Sequence, residues 1–113
     1  MRRQSDAVSP WVTATFGDMI RVSVYYPSTE GATFDHDYYR AKHVPLVQRA
    51  WSPASTTIER GISGPHVAAV HLTFASMEAF NTAMGSPLTG DVMSDLVNYT
   101  TIAPVMQISD VVE

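Results

Sequence analysis

The stretch TFDHDYYRAKHVPLVQRAW, residues 33–51, gathers two of the chain's four histidines, an adjacent tyrosine pair, a proline and a tryptophan. An imidazole takes or gives a proton close to neutral pH. A phenol beside it donates a hydrogen bond to an oxygen that gains charge. Tyr39 and His43 are spaced by one helical turn, so on a helix they project to the same side. That pair has the parts for proton transfer on an oxygenated small molecule. His36 and Tyr38 fall elsewhere on the helix and are expected at a solvated or packed rim. An ordinary amphipathic helix explains the same residues, with His43 bonded to a carbonyl and Tyr39 packed as a staple. Both readings stand at this point.

The elements that must position these groups are legible in the pattern. Asp35 is a good N-cap, and Asp37 suits the positive end of the helix dipole. Phe34 and Tyr39 have the spacing of a hydrophobic staple. Tyr39, His43, Leu46, Val47 and Ala50 share one helix face. Pro45 lacks an N–H, so the carbonyl of Ala41 loses its usual partner and a bend is expected there. Before this helix, MIRVSVYYP (19–27) reads as a strand with Ile20, Val22, Val24 and Tyr26 on one face and Arg21, Ser23 and Tyr25 on the other. ASTTIERGI (54–62) and HVAAVHLTFA (66–75) read as an antiparallel hairpin. Ser76 caps a helix that Gly85 ends, a further helix starts at Ser86-Pro87 with Val92, Leu96 and Tyr99 as its stripe, and PVMQISDVV (104–112) closes as a strand. The order is βαββαβ, an α+β ferredoxin-like unit: a four-stranded antiparallel sheet with helices on one face. The other face is left bare, and a second copy packing sheet against sheet is the economical cover.

The bulk numbers agree with one small domain. The chain has 113 residues, 45% hydrophobic and 16% charged, which is too little charge for a disordered chain. Low charge at this size suggests that a further apolar face meets a partner. Net charge is -4 with no basic cluster, so nucleic acid is a poor partner. No apolar run approaches the ~20 residues that span a membrane. The absence of cysteine removes disulfides, thiol nucleophiles and cysteine-held metals, and fits the cytoplasm. Residues 1–18 differ in composition from the rest and are expected to be a mobile arm, or to precede a functional start at Met19. An extra strand on WVTATF is the alternative.

The blocks MIRVSVYYP, FDHDYYRAKHVPL, AVHLTFASMEAF and a closing valine-rich strand, in that order, resemble the EthD-domain family, a branch of the dimeric α+β barrel superfamily. The resemblance covers residues 19–113, and Phe34 to Leu46 is its most specific part. It implies a ferredoxin-like subunit that pairs its sheet with a second subunit. Relatives include proteins linked to ether degradation, polyketide-modifying monooxygenases and cyclases, and muconolactone-type isomerases, several of which use no metal or organic cofactor. His43 falls on the histidine of the family block and Tyr39 on its second tyrosine, so these two are the expected catalytic residues.

Tyr26, Trp51 and His71 are expected to contact a ligand. Trp51 either plugs the end of the first helix or walls the cavity. His71 shares a strand face with Val67, Ala69 and Thr73, opposite Phe74. It either lines a pocket or, as preferred, pairs across a dimer. Glu59 and Arg60 are a plausible interface ion pair. No His-x-x-x-His or His-Glu-x-x-His occurs, so no metal is expected. No Gly-x-Ser-x-Gly elbow or phosphate loop is present. The leading expectation is a cytoplasmic homodimer that binds an aromatic or oxygenated hydrophobic metabolite without cofactor, as an oxidoreductase or isomerase. The alternative is a non-enzymatic binding or accessory protein for a neighbouring catabolic enzyme, with Met77, Met84, Met93 and Met106 as an adaptable apolar lining.

Overall fold

The computed structural model describes residues 18–112 throughout, and the backbone of Gln4–Asp6 (β1) and Ser9–Trp11 (β2). These two short strands pair antiparallel, with Gln4 opposite Trp11. The expected arm over residues 1–18, and the alternative strand on WVTATF, fall mostly outside the described residues.

Four strands form the main sheet: β3 (Ile20–Pro27), β4 (Ser55–Arg60), β5 (His66–Phe74) and β6 (Val105–Asp110). Their order is β4-β5-β3-β6, antiparallel throughout. This is the ferredoxin-like arrangement expected from the element order. Alternation assigns the faces. Val22 stands opposite Leu72 and Ile108, Val24 opposite Val70 and Met106, and this face lies under the helices. Val22 and Leu72 are wholly buried. Full burial of such a side chain contributes about 1.5–3 kcal/mol, so this column anchors the sheet to its helical cover.

The opposite face carries Arg21, Ser23, Tyr25, Thr57, Glu59, His71, Gln107 and Ser109 by the same register. Ala69 and Val105 share it opposite Tyr25, so it is mostly polar rather than the apolar face that low overall charge suggested. The other exposed aliphatic groups are at the sheet edges and helix ends, among them Ile58, Val97, Met106 and Ile108.

The helical cover begins with α1 (His36–Tyr38). The Asp35 carboxylate accepts from Tyr38 N–H at 3.0 Å, as its capping role required. The Phe34 and Tyr39 rings lie 5.1 Å apart, which completes the staple. A π-helical turn follows over Tyr39–His43, and α2 (Val44–Trp51) starts afresh with Pro45 in its first turn. The expected disturbance at Pro45 thus takes a definite form. The Val44 N–H reaches back to Tyr39 C=O, and the wider turn absorbs the donor that proline lacks. Ser52, in the left-handed conformation at φ 46°, ends α2 by donating its N–H to Gln48 C=O.

After β5, the Ser76 hydroxyl caps α3 (Met77–Met84) by accepting from Ala79 N–H. The last helix begins later than expected. Ser86 first closes a turn, accepting from Leu88 N–H through its hydroxyl and from Thr89 N–H through its carbonyl. Then α4 (Thr89–Ser94) runs into a 3-10 turn, Asp95–Asn98. The chain returns beside the start of α1. Asp35 N–H donates to Tyr99 C=O, Phe34 bridges Thr100, and Thr100 Oγ1 donates to Thr33 C=O. This splice between two loops brings the 3-10 turn against the π turn, and the candidate site lies where they meet.

Candidate functional site

His43 sits on the π turn, 4% exposed. Its Nδ1 lies 2.9 Å from Asp95 Oδ2. The other carboxylate oxygen, Asp95 Oδ1, accepts from the Tyr38 hydroxyl at 2.7 Å and from Asn98 Nδ2 at 2.9 Å. Burial alone would raise the Asp95 carboxyl, but the bonds from Asn98, Tyr38 and His43 outweigh it and hold it below its ordinary 3.8. An ionised carboxylate only accepts, so His43 Nδ1 must be the donor. That fixes the neutral imidazole as the Nδ1–H tautomer and leaves the lone pair on Nε2. No described residue bonds Nε2. Burial lowers the His43 pKa from its ordinary 6.5, with Asp95 pulling the other way. At neutral pH the ring is neutral, oriented, and has one basic nitrogen free. A carboxylate that holds an imidazole by one nitrogen and leaves the other to act is the geometry of a general base.

Tyr39 stacks on His43, with ring centroids 5.5 Å apart and an interplanar angle of 18°. Its ring also meets that of Tyr26, with centroids 5.4 Å apart, and the Tyr26 hydroxyl is 2.7 Å from that of Tyr99. Burial pushes the hydroxyls of Tyr39, Tyr99 and Tyr26 upward, so all three are neutral phenols that can donate. Tyr99 also touches the His43 ring at 4.5 Å. Tyr39 and Tyr99 therefore pack the imidazole, and Tyr26, Phe34 and Tyr38 pack in turn on those two rings.

A cavity of about 80 Å³ opens beside this cluster, between α2, α4 and the helix-covered face of the sheet. Tyr26, Tyr39, His43 and Trp51 all line it, together with Val70, Leu72 and Leu96. Its walls are almost wholly apolar. Met93 and Met106 also line it and are 63% and 48% exposed, so flexible side chains stand at its edge. Met77 and Met84, expected in such a lining, are not part of it. Trp51 walls the cavity and donates from Nε1 to Thr89 Oγ1 at 2.9 Å, tying α2 to α4. Larger hollows, about 370 Å³ beside the β4–β5 turn and about 750 Å³ past the end of α2, are more open to solvent.

Four of the five expected site residues thus meet at one cavity. His71 does not. It lies on the polar face, where Ser23 Oγ is 2.7 Å from Nδ1 and Glu59 Oε1 is 3.0 Å from Nε2. Both partners lie on the strands that flank β5 in the same sheet. The string Ser23–His71–Glu59 has the connectivity of a nucleophilic triad. However, Ser23 pairs with strands on both sides and is 3% exposed, so its own N–H is spent in the sheet and cannot serve as an oxyanion donor. Tyr38, expected solvated or packed at a rim, is half-buried against the core and donates its hydroxyl to Asp95. Asp95, Asn98 and Tyr99 were missed. The signal for Asp95 was present: it falls within the stripe Val92, Leu96, Tyr99, and a carboxylate inside an apolar stripe needs a partner. Among the described residues no three histidine, aspartate or glutamate side chains converge as a metal site.

The chain is similar to an EthD-like protein of Ralstonia eutropha JMP134, with 42% identity over 85% of this chain and 94% of that one, at a TM-score of 0.78. It belongs to the EthD-like family. The wider fold is shared with a DABB-family protein of Mesorhizobium loti described as ferredoxin-like (15% identity, 81% of this chain and 95% of that one, TM-score 0.57) and with SnoaB, a cofactor-independent oxygenase from Streptomyces nogalater (12% identity, 80% and 91%, TM-score 0.53). No family model matches the chain, and no curated protein matches it.

Proposed function

We propose that this EthD-like protein is a catabolic enzyme that binds a small aromatic or oxygenated hydrophobic molecule in the α2–α4 cavity and removes a proton from it with His43 Nε2. The observation that carries this reading is the His43–Asp95 bond, which leaves one basic nitrogen on a cavity-lining ring. Asp95 positions the ring; Tyr39, stacked on it, keeps it in plane. Proton removal is the first step common to an isomerisation and to a cofactor-free oxygenation, in which the substrate carbanion itself supplies the electrons. The second class draws support from the fold shared with SnoaB. The protein is further proposed to act as a cytoplasmic homodimer, with the sheet faces bearing Arg21, Ser23 and Tyr25 opposed. No described helix is long and apolar enough to cross a membrane.

The test is deuterium uptake from D2O into a one-ring enolisable ketone, cyclohex-2-enone, followed by NMR. The unaltered protein accelerates uptake, and His43→Ala removes the acceleration. Equal acceleration by His43→Ala would refute the assignment. Saturable binding without any uptake is the signature of the carrier reading. Light scattering after size exclusion reports the dimer.

A further inference from the structure

The hydroxyls of Tyr26 and Tyr99 are joined by one hydrogen bond of 2.7 Å. Two protons serve one link, so one O–H remains to donate elsewhere. When Tyr99 donates to Tyr26, the Tyr26 proton is the one left over. Tyr26 lines the cavity, and so does His43, whereas Tyr99 does not. The donor that feeds the Tyr26 oxygen also polarises its O–H, because chained hydrogen bonds strengthen one another in a low-dielectric setting.

The cavity's size adds a limit. At about 80 Å³ it is smaller than the ~150 Å³ apolar cavity known to admit one benzene ring. A modest swing of Met93 and Met106 at its edge makes room for one ring; a fused-ring molecule would require the sheet or α2 to move. The apolar walls exclude a free anion, so the ligand enters neutral and ionises inside.

We propose that the cavity selects a single-ring phenol or cyclic enol, with the Tyr26 hydroxyl donating to the ligand oxygen while His43 Nε2 accepts that oxygen's proton. This rests on the His43 base reading above. The step is a proton transfer alone: the ligand O–H breaks, an N–H forms on Nε2, and the oxyanion keeps the electron pair and the Tyr26 hydrogen bond. No oxidant or reductant takes part.

The probe is 4-nitrophenol, whose phenolate has its own visible absorbance. Added to the full-length protein at mildly acidic pH, it binds saturably and its phenolate band grows. Tyr26→Phe keeps the ring and removes the donor, so phenolate affinity falls at least about tenfold, the loss expected for one hydrogen bond to a charged oxygen. His43→Gln removes the band. If Tyr26→Phe binds as tightly as the unaltered protein while His43→Gln still loses the band, the donor role of Tyr26 is overturned and the base survives. If the band persists in His43→Gln, the base reading itself fails. Absence of 4-nitrophenol binding, or equal affinity for 4-nitro-1-naphthol, overturns the single-ring limit. A set of ring-substituted phenols on the unaltered protein makes the test independent of how Tyr26→Phe folds: affinity rises with ligand acidity, and a flat series sinks the proposal.

Discussion

Asp95→Asn isolates one bond. Asp95 Oδ1 accepts from Tyr38 and Asn98, while Oδ2 accepts from His43 alone. An asparagine that keeps its oxygen at the Oδ1 position retains the first two bonds and presents an N–H2 group to His43 Nδ1. Two donors then face each other unless the imidazole changes tautomer. The charge-assisted bond is lost at a cost of about 1.5–3 kcal/mol. Because the carboxylate is only 14% exposed, solvent screening reduces this little. A flipped ring recovers part of the cost through a neutral hydrogen bond of about 0.5–1.5 kcal/mol, so the expected net loss at pH 7 is about 1–2 kcal/mol. The flip places the proton on Nε2 and the lone pair on Nδ1, which removes the base from the cavity. Nitrogen-15 NMR of the imidazoles separates the two tautomers directly, and denaturant melts give the stability. The unaltered protein shows Nδ1–H at His43 and the variant shows Nε2–H. With the carboxylate gone, the upward pull on the imidazole goes with it, and the His43 pKa moves further below its ordinary 6.5. An Nε2–H tautomer in the unaltered protein, or a His43 pKa that rises in Asp95→Asn, would refute the orientation argument.

Three further outcomes are expected. The folded state binds the His43 proton less tightly than the unfolded chain does, since burial lowers its pKa. Stability is therefore full above about pH 6.5 and declines as pH drops below it; Asp95, also lowered, adds a second decline below 3.8. Denaturant melts across this range show the first decline flattened in His43→Gln, and an unchanged slope would contradict it. Gly61→Ala drives its methyl group into the backbone carbonyl of His66 at the β4–β5 turn, where no side chain can yield, and is expected to cost about 1–3 kcal/mol by thermal or denaturant melts. Trp51→Phe drops the bond to Thr89 and thins the cavity wall, with an expected loss of about 1–3 kcal/mol and a weakened hold of α2 on α4, read as faster hydrogen exchange in α4.

The sequence by itself determined the local elements and their faces. Period-2 alternation in residues 20–26 put Val22 and Val24 under the helices and Ser23 and Tyr25 on the far side. The Asp35 and Ser76 caps need only neighbours three residues away, and both formed. Tyr39 and His43 were paired by one helical turn, so half of the site was legible from spacing alone. Asp95, Asn98 and Tyr99 were not, because they lie more than fifty positions along the chain from His43 in all cases. What joins them is the splice of Phe34 and Asp35 to Tyr99 and Thr100, a long-range contact that no local propensity encodes. Only the tertiary structure decided that His43 faces a carboxylate rather than a carbonyl, and with it which nitrogen is free. It likewise gave His71 its two partners, Ser23 and Glu59, on the sheet face that alternation had already assigned to it. Alternation told the two faces apart, but the hydrogen bonds that fix a tautomer and the walls that close a cavity depend on how distant segments meet.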